Sequence, residues 1–241
     1  MGNFLRLAWL MILIFLIAIA IGCNKGSEGE PPPPVGPLII IADAEGDGVI
    51  VTWHQVSDVD GYHVVTPDGD TVSLDYDETS YNDDFPSSTG TYIVFAVRGS
   101  INGETSQIST APYASPAPET LYVFSHPTKP CSFGWDAVTG IGSTSIADFY
   151  LNDIAIPFQF TSADESPFNG ERTAHIFNTG DTDFFEAPES GYYNSEVVTV
   201  GDHYAFNLMG DYYAKVYVTS TTDSTATFRY WFQTIQSLRL F

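Results

Sequence analysis

From Pro37 onward the chain is a succession of short runs rich in β-branched and aromatic residues, cut by Gly, Pro, Asn and Asp, with no convincing stretch of helical periodicity. The segment Thr91–Val97 shows the pattern. Period-two alternation puts Tyr92, Val94 and Ala96 on one face and Ile93, Phe95 and Val97 on the other. Such segments bury their apolar face by pairing into sheets, so the expected fold class is all-β. Composition agrees, with 44% apolar, 15% aromatic and only 16% charged residues. A formal net charge of −22 makes contact with a phosphate backbone unfavourable, and no nucleic-acid partner is expected. Two cysteines are too few for a disulfide scaffold.

The N-terminus reads differently. Arg6 gives a positive start to an apolar run, Leu7–Ile21, which is short for a bilayer span of roughly 20 residues but suits a signal peptide. The run ends in Ala20-Ile21-Gly22-Cys23, which resembles the lipobox of bacterial lipoproteins. That resemblance implies cleavage after residue 22 of the 1–23 segment and lipidation of Cys23, giving a membrane partner through the anchor. An uncleaved membrane anchor is the rival reading, because Phe4 and Leu5 extend the apolar stretch past Arg6. Residues 24–36, with four consecutive prolines, are expected to be a disordered, semi-rigid spacer. Asn24 is not the Asp of an inner-membrane retention signal, so if the host envelope is Gram-negative the resemblance implies an outer-membrane lipoprotein, periplasmic or surface-exposed.

Residues 37–116 are expected to form one domain, with strands at Val49–Trp53, Gly61–Val65, Thr79–Asp83, Thr91–Val97 and near Thr105–Ser109. Trp53, Tyr62, Tyr81 and Tyr92 fall in the order of fibronectin type III landmarks, and the segment resembles that family over nearly its whole length. The resemblance implies an Ig-like sandwich with Trp53 and Tyr92 in its core. The outer row of Ile93, Phe95 and Val97, joined by His63 and Val65, is expected to pack against the second domain or to dock a partner.

Beyond the Ser115–Pro118 linker, residues 117–241 are expected to form a second antiparallel β-sandwich. Its strands are read at Leu121–Ser125, Ile146–Leu151, Ile154–Phe160, Thr173–Phe177, Glu196–Val200, His203–Leu208, Tyr212–Thr219 and Thr225–Thr234. The last carries rings on both faces, Phe228, Tyr230 and Phe232 against Trp231, which predicts a strand covered on both sides. The runs Gly201–Tyr204, Gly210–Val218 and Phe228–Gln233 resemble the closing strands of HmuY-type bacterial haem-binding lipoproteins. That resemblance implies haem held by paired histidines, although no such pair aligns here. His175 and His203 are the histidines on expected strands of this domain and are the candidate haem ligands.

Asp181, Asp183 and Glu186 share one loop and are the candidate calcium ligands, since calcium takes six to eight hard oxygens. No nucleophile elbow, zinc-binding helix motif or phosphate-cradling loop is present, so no catalytic residue is assigned and a non-enzymatic protein is expected. Cys131 is expected to be a buried thiol. The function expected is a lipid-anchored cell-envelope protein whose modules bind a protein or glycan, with haem or small-ligand capture as the alternative. Trp135, Tyr192, Tyr193 and Trp231 are candidate platforms for sugar rings.

Overall fold

The computed structural model describes residues 32–37, 40–45, 48–154 and 156–241. The apolar N-terminal run, Cys23 and most of the proline-containing spacer lie outside them. Among the described residues every regular element is a strand.

The first seven strands are β1 (Ile40–Glu45), β2 (Gly48–Trp53), β3 (Gly61–Val65), β4 (Thr71–Asp75), β5 (Ser80–Asp83), β6 (Thr91–Arg98) and β7 (Ile101–Ser109). They form two antiparallel sheets, ordered β1-β2-β5 and β4-β3-β6-β7, an Ig-like sandwich. Alternation decides what lies between them: Val49, Val51 and Trp53 from β2 meet Tyr62 and Val64 from β3 and Tyr92, Val94 and Ala96 from β6. The Tyr92 hydroxyl donates to Asp83 Oδ2 at 2.7 Å, tying β6 to the end of β5 across the sandwich. On the outer face Ile93, Phe95, Val97, His63 and Val65 are half-buried, with the His63 ring edge-on to Phe95 at 5.3 Å. The end of the spacer is ordered rather than free. Pro34 is buried and its carbonyl accepts from Glu104 N on β7 at 3.1 Å.

The remaining strands are β8 (Tyr113–Ala114), β9 (Glu119–Tyr122), β10 (Ser132–Trp135), β11 (Gly142–Ser143), β12 (Phe149–Asn152) and β13 (Gln159–Ser162). They are followed by β14 (Ala174–Gly180), β15 (Ser195–Val197), β16 (His203–Leu208), β17 (Tyr212–Thr222) and β18 (Thr225–Gln233). One sheet runs β11-β10-β12-β13-β15 and the other β14-β16-β17-β18-β8, with β9 also paired to β18. Between them sits a ring-rich core. Phe149 lies 4.8 Å from Phe206 and 5.1 Å from Phe160, while Trp135 packs against Phe133, Phe206 and Phe232. The prolines of the expected linker make a jog between two pairings with one strand: Tyr113 and Ala114 pair with Phe232 and Trp231, and Glu119–Tyr122 with Phe228–Thr225.

On the outer face of the five-stranded sheet, Asp148 is fully buried and held by Arg172 Nε at 2.7 Å and by Trp135 N at 2.8 Å. Burial pushes its carboxyl above the ordinary aspartate value, outweighing the Trp135 N–H and the Arg172 charge. Gly134 makes this approach feasible, because a Cβ there would stand 2.6 Å from Asp148 Oδ2.

The chain ends by crossing back. Leu238 and Leu240 are buried with Val49, Val51 and Trp53 in the core of the first sandwich, and half-buried Ile235 packs on the same cluster. Gln233, with no exposure, donates to the carbonyls of Thr110 and Leu240 at 3.1 and 2.9 Å. The two sandwiches are thus joined by hydrogen bonds and by apolar side chains that one lends to the other.

Candidate binding site

Two distant segments bound an open cavity of about 570 Å³: the β12–β13 loop and the tip of the β17–β18 hairpin. Its lining comprises Asp153, Ile156, Pro157, Phe158, Val198, Thr221, Thr222 and Asp223. The volume lies inside the roughly 300–1,000 Å³ range of ligand-accepting clefts. A second cleft of about 180 Å³, lined by Phe85, Pro86, Ser87, Phe185, Glu186 and Leu240, falls below that range.

The loop departs from the sequence expectation. Ile154–Phe160 reads as one strand, but pairing begins only at Gln159, and the residues before it leave the sheet. Pro157 has no N–H to give a ladder, which explains why the strand does not start earlier. Ile154 and Ile156 are consequently exposed, at 70% and 96%, and Val200 nearby in sequence to Val198 is 51% exposed. The base of the loop is tied down. Asn152 Oδ1 accepts from Ile154 N at 3.0 Å, and Asp153 accepts from the backbone N–H of Ser125 at 3.2 Å and from its hydroxyl. Val198 N donates to Phe158 O at 3.1 Å, and Thr222 and Thr225 share a 2.7 Å hydroxyl contact across the hairpin. Aliphatic side chains are therefore exposed on a loop tied at its two ends, and the cavity lining holds two carboxylates and no basic residue.

The candidate haem ligands do not meet. His175 is exposed on β14 and pairs with Asn207, four residues along β16 from His203. Both project from the same face of one sheet, about 13 Å apart at roughly 3.3 Å per residue, so they cannot clamp an iron from opposite sides. The residues present do not fit a two-histidine grip. His203 instead stacks on Tyr217 with ring centroids 4.6 Å apart and has Nε2 3.6 Å from Asp183 Oδ1. Burial holds its pKa below the ordinary histidine value, with Asp183 and Asp202 opposing and Lys215 reinforcing the shift.

The candidate calcium ligands are turned to other partners. Asp183 accepts from Lys215 Nζ at 3.0 Å, and Glu186 is ion-paired with Arg239 at 2.7 Å. Partial burial works against the Asp183 anion, yet the Lys215 hydrogen bond and charge, helped by His203, hold its pKa below the ordinary value. Asp181 is exposed, and among the described residues no group of three His, Cys, Asp or Glu is placed to hold a metal. Lys215 itself is 7% exposed under the rings of Trp231, Phe184 and Phe241, at 4.9, 5.3 and 5.6 Å, and donates to Phe184 O at 3.0 Å. These contacts fasten the 183–189 segment over the outer face of the six-stranded sheet.

The aromatic platforms divide in the same way. Trp135 is fully buried between the sheets, Trp231 covers Lys215, and Tyr192 packs edge-on against Phe177 at 6.0 Å. Tyr193 alone of the four is exposed, at 62%. Cys131 is half-buried and is a free thiol, and burial pushes its pKa up, away from the thiolate a nucleophile needs. Cys23 lies outside the described residues.

No family model matches this chain, and no curated protein matches it. Solved structures similar to it include a DUF4466 family protein from Parabacteroides merdae, 11% identical, covering 86% of this chain and 96% of that one with a TM-score of 0.33. A two-domain fibronectin type III segment from chicken tenascin is 12% identical, covering 82% and 97%, with a TM-score of 0.28. The Clostridium perfringens spore cortex lytic enzyme SleM is 20% identical over 32% of this chain, with a TM-score of 0.29, and only 28% of that enzyme is spanned.

Proposed function

We propose that this chain is a lipid-anchored, non-catalytic binding protein of the cell envelope, displayed on the outer membrane, whose ligand is a protein. The observation that carries the binding half is the exposure of Ile154 and Ile156 beside an open cavity. What sets Ile156 apart from other exposed aliphatics such as Val138 is that it lines that cavity together with Pro157, Phe158 and Val198, a grouping that supports a contact surface. These side chains favour protein over glycan, because sugar rings stack on flat aromatic faces, and the only ring in this lining, Phe158, is half-buried. The anchor half rests on the sequence from Arg6 to Cys23 and on the proline-containing spacer that follows.

Two experiments test the halves separately. Cells fed labelled palmitate should label the wild-type chain and not Cys23→Ser; equal labelling, or none in either, overturns the anchor. A photocrosslinking residue at position 156, in the full chain in its native membrane, should yield a discrete protein adduct. The same residue at position 138, where Val138 is 87% exposed but far from the cavity lining in sequence, should not. Absence of any adduct at 156 overturns the binding reading.

A further inference from the structure

The charge of the cleft narrows the partner. We infer that the cavity between the β12–β13 loop and the β17–β18 tip docks a cationic segment of a protein, in which lysine or arginine alternates with aliphatic residues. This rests on the binding reading above and adds the chemistry of the ligand.

Three features point the same way. The cleft pairs an apolar side, made by Ile156, Pro157, Phe158 and Val198, with a polar side made by Thr221, Thr222 and Asp223, and Asp153 closes it at the base of the loop. Its two charged residues are both acids. Asp153 already receives the N–H and hydroxyl of Ser125 and is half-buried, so its negative charge is fixed in place. Asp223 is exposed on the turn between β17 and β18, free to meet an incoming cation. The chain carries a net charge of −22, so an anionic ligand would be repelled before it arrived and a cationic one steered in. That argues against anionic cofactors and acidic glycans in the same cleft. A segment with cations at alternate positions meets both walls at once, because successive side chains of an extended strand point to opposite sides. The hydroxyls of Thr221 and Thr222 line the polar wall beside Asp223 and supply neutral hydrogen-bonding groups there.

The full chain, reconstituted in phosphatidylcholine nanodiscs, is titrated against two fluorescein-labelled peptides, one alternating lysine with isoleucine and one alternating glutamate with isoleucine. Empty nanodiscs serve as the blank. The lysine peptide should bind and the glutamate peptide should not. Ile156→Ser and Asp223→Asn should each weaken the lysine peptide by about tenfold, since each removes one wall's contribution. Both positions are exposed, so these variants keep the fold. Asp77→Asn, an exposed acid in the β4–β5 turn, should leave the affinity within about twofold of wild type, the change expected of a screened remote charge. Equal weakening by Asp77→Asn and Asp223→Asn shows attraction to net charge alone and overturns the inference. Binding of both peptides alike overturns it too. If neither peptide binds while the residue at 156 still crosslinks in cells, the cationic partner falls and the binding reading stands. If both experiments fail, both fall.

Discussion

The two sandwiches solve the same packing problem with different means. The second fills its interior from its own strands, with Trp135, Phe149, Phe160, Phe206 and Phe228 in mutual ring contact. The first is built on aliphatics around Trp53, Tyr62 and Tyr92, and its core is completed by Leu238 and Leu240 from the far end of the chain. One half is self-sufficient and the other is finished by its neighbour. A small sandwich buries a smaller share of its surface and is the half more in need of borrowed side chains.

The contrast is open to attack at several strengths. Arg172→Ala strands a fully buried carboxylate in the second sandwich and should cost about 3–5 kcal/mol, toward the lower figure because Arg172 is partly exposed. Denaturant unfolding measures it, and Asp148→Asn in the same background should recover part of the loss. Leu238→Ala or Leu240→Ala should each cost about 2–5 kcal/mol, with faster hydrogen exchange in β2, β3 and β6. If only the second sandwich exchanges faster, the lending of side chains is not what completes the first. Tyr92→Phe removes the 2.7 Å bond to Asp83 inside the first sandwich and should cost about 1 kcal/mol, without touching the second.

The smallest effect is a slope with pH rather than an offset. Burial keeps the folded His203 pKa below its ordinary 6.5, so on acidification the unfolded chain takes up this proton first. The stability contributed by the neutral ring is complete above about pH 6.5 and drains away as pH falls through the folded value. Replacing His203 with Gln should flatten the loss of stability that begins as pH falls below about 6.5; an unchanged slope would assign it to other groups. Asp183 acts in the same direction at lower pH, since its depressed pKa gives stability present above 3.8 and lost as pH falls below it.

Local alternation made most of the strands legible. Tyr92, Val94 and Ala96 lie inside as their spacing predicts, and β18 has Ala226, Phe228, Tyr230 and Phe232 in the core with Trp231 half-buried on the other face. What alternation does not carry is the distant partner. The acids at 181–186 look like a cation site because they are close in sequence, whereas Lys215 and Arg239 reach them from remote strand and tail positions. Trp135 looks like a sugar platform until β10 is seen buried at all four residues. The tail's return to the first sandwich has no periodic signature at all. The clearest local misreading, a strand at Ile154–Phe160, is also where the candidate site lies: its apolar residues satisfy a strand pattern and then go unused by the sheet.

The placement of Leu238 and Leu240 has a consequence for the birth of the molecule. A ribosome completes the seven strands of the first sandwich early, at Ser109, but supplies the last pieces of its interior only when residue 240 is made. At roughly 5–20 residues per second that interval is on the order of ten seconds. During it the N-terminal half lacks two of the apolar side chains that its finished core holds, so its full stability is reached only when the tail is made.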